Sequence, residues 1–251
     1  MSNTEKVGRE QRAILQYNQD LNDMGGYIYT SANVCKSMKI FNRRATQAIS
    51  HLLDMKGKSV IDIGCGDGTY TVELVTVMGA IASVGIEPSD AWKFGQKKYG
   101  HYEPTVRICQ GSAYSLDFAD KHFDVSIMRG VIHHLDDPLK ALQEMSRVAT
   151  NVFLLEPNGY NPVIKLLEIL SPYHRAHGER SYAPAKLRRW ISSLGGKFCG
   201  DSYSSLVPLF CPDAMAVFLD WLTPMWERLP LISKISCGLY CVHFQFCGKE
   251  S

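Results

Sequence analysis

The stretch VIDIGCGDG at positions 60–68 decides the fold prediction. It begins with an apolar run at 60–63 and continues with glycines at alternate positions, Gly64, Gly66 and Gly68. A strand that ends in a glycine-rich turn lets a ligand approach the backbone closely, because glycine has no Cβ and tolerates positive φ. A helix is predicted to begin near Thr69. The stretch therefore has the strand–turn–helix order of a ligand-binding loop in an α/β protein.

Further apolar runs follow at regular distances along the chain, at 81–86, 105–109, 123–128 and 152–155. They are short, nearly all apolar and rich in Val and Ile, which is typical of strands covered on both faces of a parallel sheet. Helix-like stretches separate them; one begins with Asp137 as N-cap and Pro138 at the first helical position. This alternation predicts a doubly wound α/β sheet. A helix at 184–193 and strands near 203–209 and 239–246 are predicted to follow.

A carboxylate follows the second strand, at the edge of the sheet where open α/β proteins bind their ligands. Glu87 at this position can accept hydrogen bonds from both hydroxyls of a ribose, so with the glycine loop it predicts an adenosine site. The loop does not have the dinucleotide spacing G-x-G-x-x-G, because Thr69 stands at the third glycine. No Gly-Lys-Ser/Thr follows either, which excludes a P-loop. With Asp62 before it, the loop suits a ligand with an amino-acid tail better than a pyrophosphate.

These motifs resemble those of the class I S-adenosylmethionine-dependent methyltransferases, and more narrowly their type 11 small-molecule branch. The resemblance covers about residues 55–160 and is carried by VIDIGCGDGTY at 60–70, VGIEPS at 84–89, FDVSIMRGVIHHLDDPLKAL at 123–142 and VFLLEPNG at 152–159. It implies a Rossmann-like, mostly parallel, seven-stranded sheet with helical cap elements. It also implies S-adenosylmethionine as cofactor, S-adenosylhomocysteine as its product, and a small-molecule acceptor.

Position by position, the resemblance implies a set of cofactor-binding residues. The methionine end would be lined by Asp62, Gly64, Cys65 and Gly66, and the ribose by Glu87 with Pro88 beside it. Ser112 and Ala113 would border the adenine, although many members of the family have Asp at the position of Ser112. Arg129, at the end of the fourth strand, would face the sulfonium.

Each residue predicted to face the acceptor has two interpretations, one functional and one structural. His133 and His134 follow the fourth strand, where either can transfer a proton near neutral pH or pack in the interior. Asn158 and Tyr160 contact an acceptor or form an ordinary turn, and Tyr27 belongs to a lid or to the packing. The aromatic stretch at 214–235 is either core or a cap that suits an apolar or aromatic acceptor.

The predicted organisation is an N-terminal helical lid at 1–50 and a methyltransferase core at 51–251, with cap insertions at about 157–180 and 210–235. The rival to an enzyme is a non-catalytic S-adenosylmethionine-binding scaffold or sensor. A nicotinamide oxidoreductase is a distant third, because the glycine spacing opposes it.

The composition of the chain restricts the classes of partner and the cellular location that are to be expected. Of 251 residues, 45% are hydrophobic and 21% charged, with a net charge of +2, which is typical of a globular protein and gives no basic excess for a nucleic acid. No signal peptide or transmembrane run is present, so a cytoplasmic protein is expected, with peripheral membrane contact left open. The eight cysteines are scattered without a C-x-x-C pair, which predicts reduced thiols and no metal site. Oligomeric state is left undecided.

Overall fold

The computed structural model describes residues 8–24, 30, 34–172, 175, 180–209 and 211–246. Within these residues, one seven-stranded sheet has the strand order β3-β2-β1-β4-β5-β7-β6. Its strands are β1 Ser59–Ile63, β2 Ala82–Glu87, β3 Val106–Gln110, β4 Phe123–Arg129, β5 Ala149–Pro157, β6 Lys197–Ser204 and β7 Leu239–Gln245. Strands β1 to β5 are parallel, and β7 runs antiparallel to both β5 and β6.

Helices cover both faces of this sheet, which confirms the predicted doubly wound fold. They are α1 Arg9–Met24, α2 Lys36–Leu52, α3 Thr69–Thr76, α4 Ala91–Tyr99, α5 Pro138–Val148, α6 Pro162–Leu170, α7 Pro184–Ser193, α8 Asp213–Glu227 and α9 Pro230–Ser236. Asp137 caps α5 by accepting the Lys140 backbone N–H at 3.1 Å, as the sequence predicted. No described helix is long and apolar enough to cross a lipid bilayer.

One strand boundary was predicted wrongly. The run at 203–209 was expected to be a strand, whereas β6 spans Lys197–Ser204. The strand lies at the edge of the sheet and is half-exposed, so it lacks the continuous apolar run of the central strands. Val207, beyond its end, is buried in a separate small cluster with Ile40 and Ala216 instead of in the sheet.

The core consists of two layers, one on each face of the sheet. Leu142 of α5 and Ile191 of α7 pack on one face, and Ile49 of α2 with Leu74 of α3 pack on the other. Each fully buried aliphatic side chain of this kind contributes about 1.5–3 kcal/mol. The proposed lid at 1–50 is therefore divided: α2 is part of the core, and α1 lies apart from both clusters at the edge where the parallel strands end.

Candidate functional site

A cavity lies at the carboxyl ends of β1, β2 and β4, beneath α1. Helix α1 contributes the side chains of Glu10, Ala13, Ile14 and Tyr17. The strand ends and the loops after them contribute Gly64, Glu87, Pro88, Ser89, Arg129, Gly130, Val131, His134 and Leu135. The wall is thus apolar in part, with a few convergent polar groups, as in small-molecule sites generally.

The glycine loop forms the floor of this cavity beside β1. Gly64 has φ of +77° and Gly66 has φ of +57°, a region that side-chain-bearing residues rarely adopt. The Gly64 backbone N–H donates to the carbonyl of Ile86 at 2.7 Å, which fixes the loop against the end of β2. A Cβ at position 64 would overlap the side chain of Val131. Both backbone conformation and space therefore require glycine here.

Glu87 is a buried carboxylate that lines the cavity and is held by neutral donors. Its Oε2 accepts the Gly66 N–H at 2.9 Å, and its Oε1 accepts the Ser89 N–H at 2.9 Å and the Ser89 hydroxyl at 2.5 Å. Burial raises the pKa of Glu87, and these hydrogen bonds oppose the rise. A carboxylate has about four acceptor positions. Three are used, so an acceptor position is left for a ligand hydroxyl.

Asp62 lies under the loop, 3% exposed, and accepts the Thr71 hydroxyl at 2.7 Å. Burial raises its pKa to about 6, although the Thr71 hydrogen bond and the charge of Arg129 lower it. Asp62 and Glu87 therefore place two buried carboxyl groups beside one loop.

Arg129 lines the cavity, but its guanidinium is directed toward helix α2. It donates to the Asn42 carbonyl at 2.9 Å and to the Thr46 hydroxyl at 3.2 Å, and it lies 3.5 Å from the centroid of the Tyr70 ring. The positive charge is thereby held by a backbone oxygen, a hydroxyl and an aromatic face, and by the Glu73 carboxylate at 3.7 Å. The Arg129 guanidinium is thus engaged outside the cavity.

These charges fit a ligand that carries a positive charge and a ribose. Two buried carboxyl groups, Asp62 and Glu87, lie at the loop. Of the cations near it, Arg129 has its guanidinium turned to α2, and Lys98 is paired with Asp67 at 3.3 Å. S-adenosylmethionine has such a charge on its sulfur, and its ribose can donate a hydroxyl to Glu87. The residues present therefore fit the cofactor that the resemblance implied.

The two histidines have different surroundings. His133 is buried, and its Nδ1 lies 2.6 Å from Oε2 of Glu156, whose Oε1 accepts the backbone N–H groups of Val131 and Ile132. His134 lines the cavity, and its Nε2 lies 3.2 Å from the Tyr17 hydroxyl. The two rings are 4.0 Å apart between centroids. Of the pair predicted from sequence, His134 is therefore the one whose side chain borders the cavity.

Helix α1 is fastened over the cavity from three sides. The Tyr114 hydroxyl donates to Glu10 at 2.5 Å, and the Arg9 backbone N–H donates to Asp136 at 3.0 Å. Asn18 accepts the Asp90 backbone N–H at 2.8 Å. These partners follow β3, β4 and β2 respectively, so α1 bridges the loops at the carboxyl edge of the sheet.

Several residues predicted for the cofactor lie outside the cavity wall. Cys65 is buried behind the loop, with its Sγ 3.7 Å from the Gly66 carbonyl. Ala113 is part of the core, and Ser112 Oγ accepts the Tyr114 backbone N–H at 3.2 Å within a local turn. Of the predicted cofactor residues, the cavity wall thus contains Gly64, Glu87, Pro88 and Arg129, the last with its guanidinium turned to α2. The predicted residues outside the wall are Asp62, Cys65, Gly66, Ser112 and Ala113.

Two of the predicted acceptor residues, Asn158 and Tyr160, also lie outside the cavity wall. Asn158 is fully buried; its side-chain amide donates to the carbonyls of Lys234 and Cys237, each at 2.9 Å, and accepts the Tyr160 N–H at 3.1 Å. This arrangement fastens the loop after β5 to the end of α9. The Tyr160 hydroxyl accepts the Ala185 N–H at 3.3 Å, away from the cavity. Tyr27 lies outside the described residues.

The N-terminal segment was predicted to be a helical lid, but the residues of α1 that line the cavity were not named as site residues, and neither was Glu156. The residues of α1 that face inward, Ala13, Ile14 and Tyr17, recur at three-to-four spacing with buried Leu21, so an amphipathic face was available as a signal. Nothing in the local pattern could show which surface that face covers. Glu156 directly follows the apolar run in β5. Burial of a carboxylate at such a position is unfavourable unless the carboxylate is hydrogen-bonded.

Residues 61–155 match the family model described as a methyltransferase domain. A protein described as an uncharacterized methyltransferase, from Schizosaccharomyces pombe, is 27% identical over 205 residues, which span 72% of this chain and 68% of that protein. The demethylmenaquinone methyltransferase of Staphylococcus aureus strain MRSA252 is 33% identical over 106 residues, or 41% of each chain. The similarity to the bacterial relative thus spans less than half of its length.

Among solved structures, the magnesium protoporphyrin IX methyltransferase of Synechocystis PCC 6803, determined with bound S-adenosylmethionine, has the same fold. The TM-score is 0.65, with 98% of this chain and 100% of that chain covered. The sequences are 12% identical, so the likeness extends to the fold alone.

Proposed function

The chain carries a class I S-adenosylmethionine-dependent methyltransferase domain, and we propose that it methylates a small, largely apolar acceptor in the cavity beneath α1. One observation carries this proposal: the buried Glu87 carboxylate lines a cavity that α1 covers, at the carboxyl edge of the sheet. When bound, S-adenosylmethionine supplies an electrophilic methyl group on a positively charged sulfur.

The roles of the cofactor-binding residues follow from their charges and hydrogen bonds. Glu87 accepts a ribose hydroxyl, and Gly64 and Gly66 let the ligand approach the backbone. Asp62 and Glu87 lower the electrostatic potential at the loop, which favours a cationic ligand. Helix α1 excludes water from the reacting groups and fixes their orientation, and positioning of this kind supplies much of the rate in a displacement reaction.

We further propose that His134, rather than His133, accepts a proton where the acceptor must lose one. His134 borders the cavity next to Tyr17. His133 holds Glu156, which accepts the backbone N–H groups of Val131 and Ile132 and so fixes the loop that leads to both rings. An acceptor without such a proton needs only to be aligned with the methyl group of the cofactor.

The nature of the acceptor is proposed from the cavity wall and from one relative. Ala13, Ile14, Val131 and Leu135 give the cavity an apolar side. The staphylococcal relative is named for demethylmenaquinone, which supports a small-molecule acceptor for this chain. Glu87 and Ser89 are assigned to the cofactor, and the Arg129 guanidinium is turned to α2. The polar side chains of the wall that remain for the acceptor are Glu10, Tyr17 and His134, so the acceptor is expected to be mostly apolar.

The experiment has two arms, which separate binding from catalysis. Calorimetric titration of the purified chain should detect S-adenosylmethionine and S-adenosylhomocysteine, and no NAD. Incubation with a pooled metabolite extract and S-adenosylmethionine with an isotopically labelled methyl group should then give products with one labelled methyl.

The variant Glu87→Gln should weaken cofactor binding by about 1–3 kcal/mol, the cost of losing a hydrogen bond to a charged group. The matched control Glu103→Gln alters an exposed glutamate and should bind as the parent does. Cofactor binding without any labelled product from lipid and aqueous extracts would favour the scaffold or sensor. Binding of NAD alone would refute the cofactor assignment.

A further inference from the structure

Helices α6, α8 and α9 expose large apolar side chains, which we call the three-helix surface. Its most prominent members are Ile169 of α6 at 67% exposure, Trp221 of α8 at 74% and Leu231 of α9 at 82%. Leu166, Phe218 and Met225 are exposed beside them on the same helices. Single exposed apolar residues are ordinary, but three joined helices with this character mark an interaction surface.

The three helices form one built surface, because side-chain hydrogen bonds join them. Asn161 donates to the Ser236 carbonyl at 2.8 Å, which fastens the start of α6 to the end of α9. The Trp226 indole N–H donates to the Ser236 hydroxyl at 2.8 Å and joins α8 to α9. The pairing of Pro157 with Leu239 places this junction at the carboxyl edge of the sheet, the edge that holds the cavity.

The acidic side chains of these helices other than Asp213 have partners within the chain. Glu168 accepts the Lys165 ammonium at 3.0 Å and the Ser181 N–H at 2.7 Å. Asp220 is paired with Arg43 and Arg44 of α2. Glu227 accepts the Ser204 hydroxyl at 2.6 Å. These carboxylates are therefore neutralised or used as structural acceptors.

The charged groups that do face outward are mainly arginines. Within the described residues 162–172 and 211–236, the exposed charged side chains are Asp213 and Arg228. Arg175 and Arg180, which follow α6, are exposed as well. The apolar surface is thus bordered by positive charge, with Asp213 at the far end of α8.

We propose that the three-helix surface docks on a membrane whose lipids carry a net negative charge. Trp221 and the aliphatic side chains enter the interfacial region of the bilayer, as the apolar face of a surface-bound helix does. Arg180 and Arg228 meet the lipid phosphates, because positive side chains beside an apolar face are attracted to an anionic leaflet. The fluid interface needs no directional hydrogen bonds, which suits a surface with few free polar groups.

The same charges disfavour a second copy of the chain as the occupant. A two-fold dimer through this surface buries the arginines of both copies in one interface, and within the described parts of these helices Asp213 is the exposed carboxylate that can face them. The carboxylates that could compensate them, Glu168, Asp220 and Glu227, already have partners within the chain. This proposal does not depend on methyl transfer.

The test uses the full chain with two kinds of vesicle, phosphatidylcholine alone and phosphatidylcholine mixed with phosphatidylserine. Co-sedimentation should show binding to the mixed vesicles that weakens as salt is added. Tryptophan emission should shift to shorter wavelength, and Trp221→Phe should bind as before but lose most of that shift. The pair Trp221→Ser with Leu231→Ser should reduce vesicle binding by roughly tenfold or more, since both apolar anchors are lost.

A matched control uses exposed apolar residues at the opposite, amino edge of the sheet. Val77→Ser with Ile81→Ser should leave vesicle binding unchanged, and circular dichroism should show that both double variants are folded. Arg180→Gln with Arg228→Gln should weaken binding to the mixed vesicles only. Absence of binding to the mixed vesicles, or equal binding by both serine double variants, would overturn the proposal. So would a dimer that the Trp221 and Leu231 changes dissociate and that fails to bind vesicles.

Discussion

Replacing Asp62 with Asn should make the chain more stable near neutral pH, although Asp62 lies at the cofactor loop. The carboxyl is 3% exposed, and burial raises its pKa from 3.8 to about 6. The folded chain therefore binds this proton more tightly than the unfolded chain does. The stability that the protonated group contributes is full below about pH 4 and is lost as the pH rises toward 6. Above pH 6 the folded chain bears the whole cost of the ionised, buried group.

The size of the effect follows from the shift. A change of about two pKa units corresponds to about 3 kcal/mol of unfolding free energy. In Asp62→Asn the side-chain oxygen can still accept the Thr71 hydroxyl, but its amide N–H groups need acceptors. An unmet buried donor costs about 1 kcal/mol or more. The net gain near pH 7.5 is thus expected to be about 2 kcal/mol, and near pH 4 the variant should be slightly less stable than the parent.

The assay is urea unfolding of parent and variant across this pH range, with the difference in unfolding free energy as the readout. Asp124→Asn is a control of opposite sign. The Ser59 backbone N–H and hydroxyl, at 2.8 and 2.9 Å, lower the pKa of Asp124, so this variant should lose stability near neutral pH and lose less as the pH falls. A difference between Asp62→Asn and parent that does not vary with pH would refute the reasoning.

Three further substitutions test the loop, the helix above the cavity and the buried histidine. Gly64→Ala should abolish measurable cofactor binding in calorimetry and lower the unfolding free energy, because its φ is +77° and a Cβ would overlap Val131. Tyr17→Phe removes the hydroxyl that lies 3.2 Å from His134, so it should speed cofactor dissociation in stopped-flow fluorescence by roughly fivefold, the equivalent of about 1 kcal/mol. Unchanged dissociation would mean that α1 does not retain the cofactor through this contact. In Glu156→Gln the amide oxygen is expected to keep the backbone N–H groups of Val131 and Ile132, so the amide N–H faces His133 Nδ1. ¹⁵N NMR should then show the ring with its proton on Nε2, whereas a carboxylate at this place favours the proton on Nδ1; the same tautomer in parent and variant would contradict donation from Nδ1–H to Glu156.

The sheet and the cofactor loop could be predicted because their signals are local. The run at 59–63 matched β1, and the helix at 184–193 matched α7. Each is decided by its own apolar pattern and by the residues at its ends. The bounds of the edge strand β6 were not predicted correctly, because a strand at the edge of the sheet lacks the continuous apolar pattern that identified the other strands. Gly64 and Glu87 could be predicted from the same local patterns, because each stands at the end of an apolar strand run. In open α/β sheets these strand ends border the ligand.

The rest of the site could not be predicted, because it depends on contacts between distant parts of the chain. Whether His133 or His134 borders the cavity depends on Glu156, which draws the ring of His133 to the other side. Asn158 follows a strand at the expected edge, but its amide is used by the carbonyls of Lys234 and Cys237. Sequence position placed these residues near the edge of the sheet, and only tertiary packing decides which of their side chains border the cavity.

The features that stabilise the fold and those that suit the ligand are separated in the structure. The two apolar layers lie on the faces of the sheet, and the unfavourable groups, Asp62, Glu87 and the positive φ of Gly64, gather at the ends of β1 and β2. Burial of these carboxyl groups lowers stability in the free chain, although the charge of Arg129 offsets part of the cost at Asp62. A cationic ligand removes part of that cost when it binds, so cofactor binding should stabilise the parent more than Asp62→Asn. Asp62 thus lowers the stability of the ligand-free chain and raises that of the complex. Such a residue is expected at a binding site, where a group that suits the ligand is unfavourable for folding alone.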